Sequence, residues 1–455
     1  MRMIDNALTG AVASQAALNA VSQNIANQMT PGYSRQGVVL TALMPGSGDP
    51  YSAGSGVVVN AVRRFNDDFK SLQLWQAASS QGELVAQNPY FGQLEQVMGR
   101  DGSSLSAGFD QFFQALSAAS LSGDAMRDPV IRSAEALAQR FNNLDKVFGS
   151  QLAAIAEQRS ATVTQINSSV ANIADLNAKI AAGKAIDTNT SGLEDERDRQ
   201  IDSLSALVEV RVVSQPDGSK NVSLKSGLPL VADTQAATLS NTSQPDGSQV
   251  LTLNFSKDKY TLAGDGLGGQ LGGLNQYEIQ TVRPMRAQVK TLASEMAQRV
   301  NDQLAKGYDN NGQPGKPLFV YDASGVNGIL KTSGITSAEL GFSGDPAKPG
   351  DNSNLLAVIG LQQQKITMPG VGAVTIGDAY SQMVGKLAVS SKQNKSGLES
   401  AKVIRAEAEK SWHNTSGVNR DEEAMDLLEF QKMYQANMKV ISVANQLFES
   451  TLSIL

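Results

Sequence analysis

Apolar residues recur every seven positions at the start of the chain. One series consists of Ile4, Ala11, Leu18 and Ile25. A second series, offset by four residues, begins at Leu8. A repeat close to 3.5 residues predicts an amphipathic helix whose apolar side forms a seam like that of a coiled coil. Thr30-Pro31-Gly32 should end this helix, because proline and glycine both disfavour its continuation.

The end of the chain carries the same pattern more strongly. Asn419 and Glu422 have the spacing of a helix-capping box. Two adjacent seven-residue series follow: Met433, Val440, Leu447 and Ile454, and Leu427, Tyr434, Ile441, Phe448 and Leu455. Such a wide apolar stripe, running to the last residue, predicts a helix that needs a partner.

Both ends are therefore predicted to be helices that pack against another element. One interpretation, common for amphipathic helices, is that they cover the core of their own domain. The other is that they pair with each other and with copies of themselves, because the apolar positions reach the chain ends, where helices usually fray. The assembly interface predicted by this second interpretation consists of Ile4, Leu8, Ala11, Leu18, Ile25, Leu427, Tyr434, Val440, Ile441, Leu447, Phe448 and Leu455.

The middle of the chain changes from helical to strand-like patterning and back. Val208–Val213 alternates and is β-branched, which is typical of a strand. The hexapeptide Ser214–Ser219 recurs as Ser243–Ser248, and its Pro-Asp-Gly core favours a turn. These features predict a small β domain made of hairpins.

The predicted fold class is accordingly mainly α with a β insertion. Three domains are expected, in a nested order. The terminal helices form a coiled-coil assembly domain, long helices form a bundle body, and the hairpins form an all-β domain inserted centrally. The predicted bounds are 1–62 plus 413–455, 63–207 plus 273–412, and 208–272.

Composition narrows the possible chemistry. The 455 residues include no cysteine and one histidine, His413, so thiol chemistry and a two-histidine metal site within one chain are excluded. A net charge of −6 disfavours nucleic-acid binding. No run of 18 or more apolar residues is present to span a membrane, and no cleaved signal peptide is recognisable. We therefore expect no cofactor, no metal, no catalytic residue, no nucleic acid and no membrane partner.

The densest cluster of charge is Glu194–Arg199, which contains both acidic and basic residues. Such a cluster is most often the solvated face of a helix, with pairs four residues apart. The competing interpretation is a carboxylate pair of an enzyme, for example a cell-wall hydrolase. A glycine-rich stretch at Gly264–Gly269 fits a nucleotide-binding pattern only weakly, because no βαβ unit surrounds it and no helix is predicted to start directly on it.

Short motifs at both ends resemble the signatures of the bacterial flagellar axial proteins, the family of rod, hook and hook-associated proteins. The N-terminal motifs are Asn6–Gly10, Ala17–Asn19, Ser22–Asn27 and Thr30–Gln36. The C-terminal motifs are Ser416–Glu423, Gln431–Asn437 and Lys439–Ile441. The form of Ser416–Glu423 is similar to that of the hook-associated members. The resemblance is weakest in the β region and over 318–350.

This resemblance implies a structural protein and not an enzyme. Family members leave the cell unfolded through the flagellar type III channel, without a cleaved signal, and assemble in the extracellular flagellum. A hook-associated member implies a position at the hook–filament junction. The implied partners are further copies in a helical lattice, the hook protein, a second hook–filament junction protein, and an export chaperone at the C-terminal helix. A hook or distal rod protein is the alternative within the family.

Overall fold

The structure is a computed structural model, which describes residues 2–44, 54–100, 104–122, 126–244, 247–264 and 266–453. The predicted seam residues Ile454 and Leu455 lie outside the described residues. The chain forms two compact units. Unit 1 comprises Met1–Gly82, Thr162–Gly269 and Ser400–Leu455, and unit 2 comprises Glu83–Ala161 and Gln270–Glu399.

Ten α-helices account for most of the described residues. They are α1 (Arg2–Ala26), α2 (Asp68–Met98), α3 (Leu105–Ser122), α4 (Arg127–Ala185), α5 (Ser191–Leu207), α6 (Gly269–Tyr277), α7 (Arg283–Leu304), α8 (Ser353–Gly360), α9 (Ile376–Ser416) and α10 (Arg420–Leu452). A π-helical segment, Glu278–Val282, joins α6 to α7, and short 3₁₀ turns occur at Ser337–Glu339 and Leu361–Gln363.

Thirteen short strands are described, and every paired set is antiparallel. They are β1 (Gln36–Ala42), β2 (Val57–Arg64), β3 (Val210–Ser214), β4 (Lys220–Leu224), β5 (Pro229–Ala232), β6 (Gln235–Ala236), β7 (Thr238–Ser243), β8 (Gln249–Phe255), β9 (Asp258–Thr261), β10 (Phe319–Tyr321), β11 (Leu330–Thr332), β12 (Lys365–Met368) and β13 (Gly372–Thr375). The sheets are β3-β4-β5-β6, β7-β8-β9 and three two-stranded ribbons.

The predicted fold class, mainly α with a β insertion, is confirmed. Strands β3 to β9 occupy 210–261, inside the predicted insertion. The predicted boundaries 62/63 and 412/413 fall within β2 and α9. In the two-unit division, the strands of the insertion belong to the same unit as α1 and α10. The division into three domains stays a prediction.

The glycine-rich stretch contains a turn and, contrary to the prediction, a helix starts on it, because α6 begins at Gly269. Gly269 has φ +56°, and a Cβ at this position would lie 2.5 Å from the backbone nitrogen of Val208. Close backbone packing therefore requires glycine here. Asp265, within the same stretch, lies outside the described residues.

Unit 2 contains the densest aromatic packing. Phe112, Phe141 and Phe148 are fully buried there, and the rings of Phe109 and Phe141 meet edge to face at 5.8 Å. Such edge-to-face pairs add to the stability that burial provides. Beside the π-helical segment, Glu278 pairs with the buried Arg159 at 2.5 Å.

The charge cluster on α5 is not a solvated face, and that interpretation is wrong. Asp195 and Arg197 are buried. Arg64 of β2 donates to Asp195 at 2.8 Å and to Asp198 at 2.7 Å, and Lys220 of β4 donates to Asp198 at 2.9 Å. The basic partners come from distant parts of the sequence, so spacing within the helix could not reveal them. The cluster joins α5 to β2 and β4 within unit 1.

Opposite charge dominates the environment of Asp198. Burial alone would raise the pKa of this carboxyl, but the charges of Lys220, Arg64 and Arg197 outweigh burial and lower the pKa to about 2. Because the folded pKa is depressed, the ionised form stabilises the fold above the unfolded pKa of about 3.9. That contribution is lost as the pH falls towards 2.

Replacing Asp198 with asparagine should destabilise unit 1 by about 3 kcal/mol, because Arg64 and Lys220 lose a buried counter-charge. Urea denaturation followed by circular dichroism would measure the change. The matched control is Asp175→Asn, which breaks an exposed pair with Lys179 at 2.7 Å and should leave the denaturation midpoint unchanged. Equal midpoints for both variants would contradict a stabilising role for the buried network.

Candidate assembly surface

The two terminal helices lie side by side in unit 1. Asn24 of α1 contacts Glu423 of α10, and Gly10 of α1 lies against Asn437. Moving towards the start of α1 therefore means moving towards the end of α10, so the helices are antiparallel. A Cβ on Gly10 would lie 2.7 Å from Asn437 Oδ1, so the close approach of the helices depends on glycine at this position.

The facing sides of the two helices differ in side-chain size. On α1 the buried positions are mostly small: Ala7, Ala11, Ala13, Ser14, Ala17, Ala20, Val21 and Asn24. On α10 the positions facing α1 are buried or half-buried at alternating steps of three and four residues: Phe430, Tyr434, Asn437, Ile441 and Ala444. We call these α10 positions the inner seam. Their spacing is that of a coiled coil, with small residues on one helix admitting larger ones from the other.

The structure places the predicted interface residues at three levels of exposure. Ala11 is buried. Ile4, Leu18, Tyr434 and Ile441 are half-buried. The exposed residues are Leu8, Ile25, Leu427, Val440, Leu447 and Phe448. Most of these side chains therefore remain free to contact something else, and their role in assembly stays a prediction.

Exposure separates the two seven-residue series of α10. Tyr434 and Ile441 of one series belong to the inner seam. Residues of the other series lie beside the inner seam and stay exposed, and together with neighbouring exposed apolar residues they form what we call the outer stripe: Met425, Met433, Val440, Val443 and Leu447. Leu447 is 59% exposed. A continuous exposed apolar stripe on a long helix is typical of an interaction site.

The inner seam also extends beyond its partner helix. If the register set by Asn24 and Glu423 continues, α1 begins opposite about residue 445 of α10. The following turns of α10 therefore lack an opposing α1. Phe448 and Leu452 continue the inner seam there and are 65% and 57% exposed.

Residues from the two terminal signatures meet at one buried junction. The Asn24 side-chain amide donates to both carboxylate oxygens of Glu423, at 3.1 and 3.0 Å, and to the carbonyl of Gln36 at 2.9 Å. Its side-chain oxygen accepts from Tyr33 Oη and from the backbone N–H of Gln36, both at 2.9 Å. A single asparagine thus holds α1, the following turn and α10 together.

The junction is unusual because, among the described residues, no cation is hydrogen-bonded to its buried carboxylate. Glu423 is 1% exposed, and burial raises its pKa, although the bond from Asn24 and the charge of Arg35 act in the opposite direction. The nearby Arg35 pairs instead with Glu422 at 2.7 Å and lies over the ring of Phe65. Burial, with the charges of Asp195 and Glu423, also raises the pKa of Tyr33 to about 12.

The ribbon β1–β2 packs against α1, and the sequence analysis did not predict it. Thr9 Oγ1 accepts from the backbone N–H of Val57 at 3.3 Å, and Asn24 bonds the backbone of Gln36. The β-branched runs at Val38-Val39 and Val57–Val59 carried the strand signal. The ribbon covers a face of α1 that α10 leaves open.

The described residues offer little for metal or membrane chemistry. Nowhere in the described ranges do three or more histidine, aspartate or glutamate side chains come together in a way that could hold a metal ion. Over the same ranges, no helix combines the length and apolar character that crossing a membrane requires.

Comparison with known proteins gives first the class and then the family. Residues 413–454 match the profile of the flagellar basal body rod FlgEFG protein C-terminal region, which assigns the C-terminal end of the chain to the flagellar axial class. Residues 91–319 match the profile of the flagellar hook-associated protein FlgK helical domain. This match covers half of the chain, so the chain belongs to the FlgK hook-associated protein family, and the family resemblance drawn from the terminal motifs is confirmed.

Individual relatives extend this similarity over the whole length. The flagellar hook-associated protein 1 of Escherichia coli is 26% identical, with 99% of each chain covered. That of Bacillus subtilis is 24% identical over 97% of this chain and 96% of its own. The solved structure of the flagellar hook junction protein FlgK from Burkholderia pseudomallei matches with a TM-score of 0.67 at 17% identity, covering 75% of this chain and 99% of that one. The structural match supports the fold.

Replacing Asn24 with alanine should detach α1 from α10 more readily, at a cost of about 2 kcal/mol, because Glu423 and the backbone of Gln36 lose their buried partner. Limited proteolysis of the full chain would show faster cleavage within α1 and α10. Asn19→Ala, at an exposed position of the same helix, should leave the cleavage rate unchanged. An unaltered rate for Asn24→Ala would show that the junction does not hold the helices together.

Proposed function

We propose that this chain is a structural subunit of the hook–filament junction, which assembles through its paired terminal helices and performs no catalysis. Family membership and full-length similarity to proteins named flagellar hook-associated protein 1 support the junction role. The observation that carries the assembly mechanism is the outer stripe of α10, because its large apolar side chains stay exposed although α10 already has a helical partner.

Burial explains why assembly would favour a neighbour at this stripe. Each large apolar side chain contributes about 1.5–3 kcal/mol when it moves from water into a packed interface. The outer stripe supplies five such residues on one side of α10, and Phe448 and Leu452 add two more beyond the end of α1. Neighbouring copies in a lattice could cover all of them at once. The twelve interface residues named above remain the proposed contact set.

The proposed partners follow from the position of the subunit at the hook–filament junction. They are further copies of the chain, the hook protein on one side and a second junction protein on the other. Before assembly, an export chaperone would cover the exposed apolar side of α10 in a groove, as amphipathic helices are commonly bound. The proposed location is the flagellum outside the cell, reached by type III export without a cleaved signal.

The carboxylates of α5 support a structural role over that of a hydrolase. A general acid needs a raised pKa and access to substrate. Asp198 instead has its pKa lowered to about 2 by bonded basic groups. Although burial raises the pKa of Asp195, this carboxylate is engaged by Arg64 and by the backbone N–H of Ser34 at 3.1 Å.

Introducing a charge into the outer stripe should block assembly without unfolding the monomer. Leu447→Asp would bury a carboxylate in the interface, at a cost of roughly 3 kcal/mol, or about a hundredfold in affinity. Flagella isolated from complemented cells should then lack the variant, while circular dichroism of the purified chain stays unchanged. Gln435→Asp, at an exposed polar position on another side of α10, should assemble normally. Normal incorporation of Leu447→Asp would exclude the outer stripe from the interface.

Removing the protein from cells separates the junction role from the alternative of a hook or rod protein. Electron microscopy of a deletion strain should show complete hooks without attached filaments, because the subunit would act only after the hook is built. Filament subunits should accumulate in the medium. Absence of the hook itself would instead favour the hook or distal rod assignment.

A further inference from the structure

The junction between the chain ends borders a cavity of about 220 Å³. Its walls are small and aromatic side chains of α1, of α10 and of the connection between β2 and α2: Ala17, Ala20, Val21, Phe430 and Phe65. Its charged lining is Glu423, Asp426 and Arg35. A volume of this size would hold several water molecules at roughly 30 Å³ each, so it can also admit a long side chain.

The charges around the cavity are unbalanced. Glu423 is buried and bonds only to the neutral amide of Asn24 among the described residues. Arg35 also lines the cavity and its charge acts to lower the pKa of Glu423, but its hydrogen-bonded partner is Glu422. Asp426 is exposed at the edge of the cavity. Burying a carboxylate without a hydrogen-bonded cation costs stability, and the single oxygen of an isosteric amide could still accept from Asn24. The acid at position 423 is therefore unfavourable for the isolated chain.

Position along α10 connects the cavity to the outer stripe. Asp426 precedes Met433, Val440 and Leu447 in one seven-residue series, so it lies on the same side of the helix as the outer stripe. A neighbour that covers the outer stripe would also cover the cavity opening. The contact surface of that neighbour would then lie against the carboxylates of Glu423 and Asp426 and the apolar walls of the cavity.

We propose that this cavity receives a lysine or arginine side chain from a second copy of the chain. The methylene stem would pack against Ala17, Ala20 and Phe430, and the cationic head would reach Glu423, with Asp426 at the entrance. Long basic side chains suit such a site, because their stems are apolar and only their heads are charged. This inference rests on the proposed assembly through α10, and it adds an ionic contact to an otherwise apolar interface.

Glu423→Gln tests the proposal because stability and assembly should move in opposite directions. Gln Oε1 can still accept from Asn24, and the buried charge disappears, so the melting temperature of the purified full chain should stay equal or rise. Incorporation into flagella isolated from complemented cells should fall at least tenfold, while the amount exported stays unchanged. Asp421→Asn, which lies in the first turn of α10 but does not line the cavity, should behave as wild type in every assay.

Asp426→Asn provides a second test at an exposed position, where misfolding is not expected, and should also reduce incorporation. Wild-type incorporation of both Glu423→Gln and Asp426→Asn would overturn the cavity proposal. If Leu447→Asp still fails to assemble in that case, the proposed function stands without the cavity. If Leu447→Asp also assembles normally, the assembly mechanism itself is wrong.

The absence of cysteine allows the partner to be identified directly. Gln36→Cys places a unique thiol in the cavity lining, and its backbone bonds to Asn24 are kept. A short thiol-to-amine cross-linker applied to isolated flagella should join this cysteine to a lysine of another copy. The product would be a dimer of the 48.0 kDa chain, recognised by mass spectrometry of the linked peptides. Cross-links only to a different flagellar protein would contradict a second copy as the occupant, and a complete lack of cross-links would exclude lysine as the inserted side chain.

Discussion

The contact between Asn24 and Glu423 is the constraint on which the arrangement of the chain ends depends. It joins residues 399 positions apart in the sequence and fixes α1 and α10 in one antiparallel register. That register determines which apolar residues of α10 meet α1 and which stay exposed. The same contact orders the turn after α1 through Tyr33 and the backbone of Gln36. The outer stripe, the exposed end of the inner seam and the cavity all follow from this placement.

The size of the side chains shows how apolar surface is divided between folding and association. Along its buried face, α1 presents mainly alanine and serine, which bury little area each. Close helix packing compensates partly, because small residues let backbones approach. The large apolar residues of α10 are mostly exposed. Unit 2 shows the opposite arrangement, with Phe112, Phe141 and Phe148 fully buried in its own core. The paired terminal helices and unit 2 therefore use large hydrophobic residues for different purposes.

Sequence periodicity predicted the terminal helices well but could not assign their faces. Both series of α10 have equal spacing, and only the position of α1 shows that Tyr434 faces inward and Leu447 outward. The prediction that the charge cluster on α5 is solvated failed for a related reason, since Arg64 and Lys220 reach the cluster from β2 and β4. The β1–β2 ribbon could have been predicted from its β-branched residues. That pattern follows directly after the stronger helical periodicity of α1. The Asn24–Glu423 junction brings the two signatures together, and no spacing rule links residues so far apart.

The separation of the paired helices in sequence also determines when they can form. Contacts between residues this distant require closure of a very long loop, which slows folding relative to local structure. Until α10 is available, α1 has no helix to cover its small-residue face, and a chain that ends before Glu423 could not form the junction at Asn24. Pairing of the ends therefore requires a chain that extends from α1 through the residues of α10 that face it.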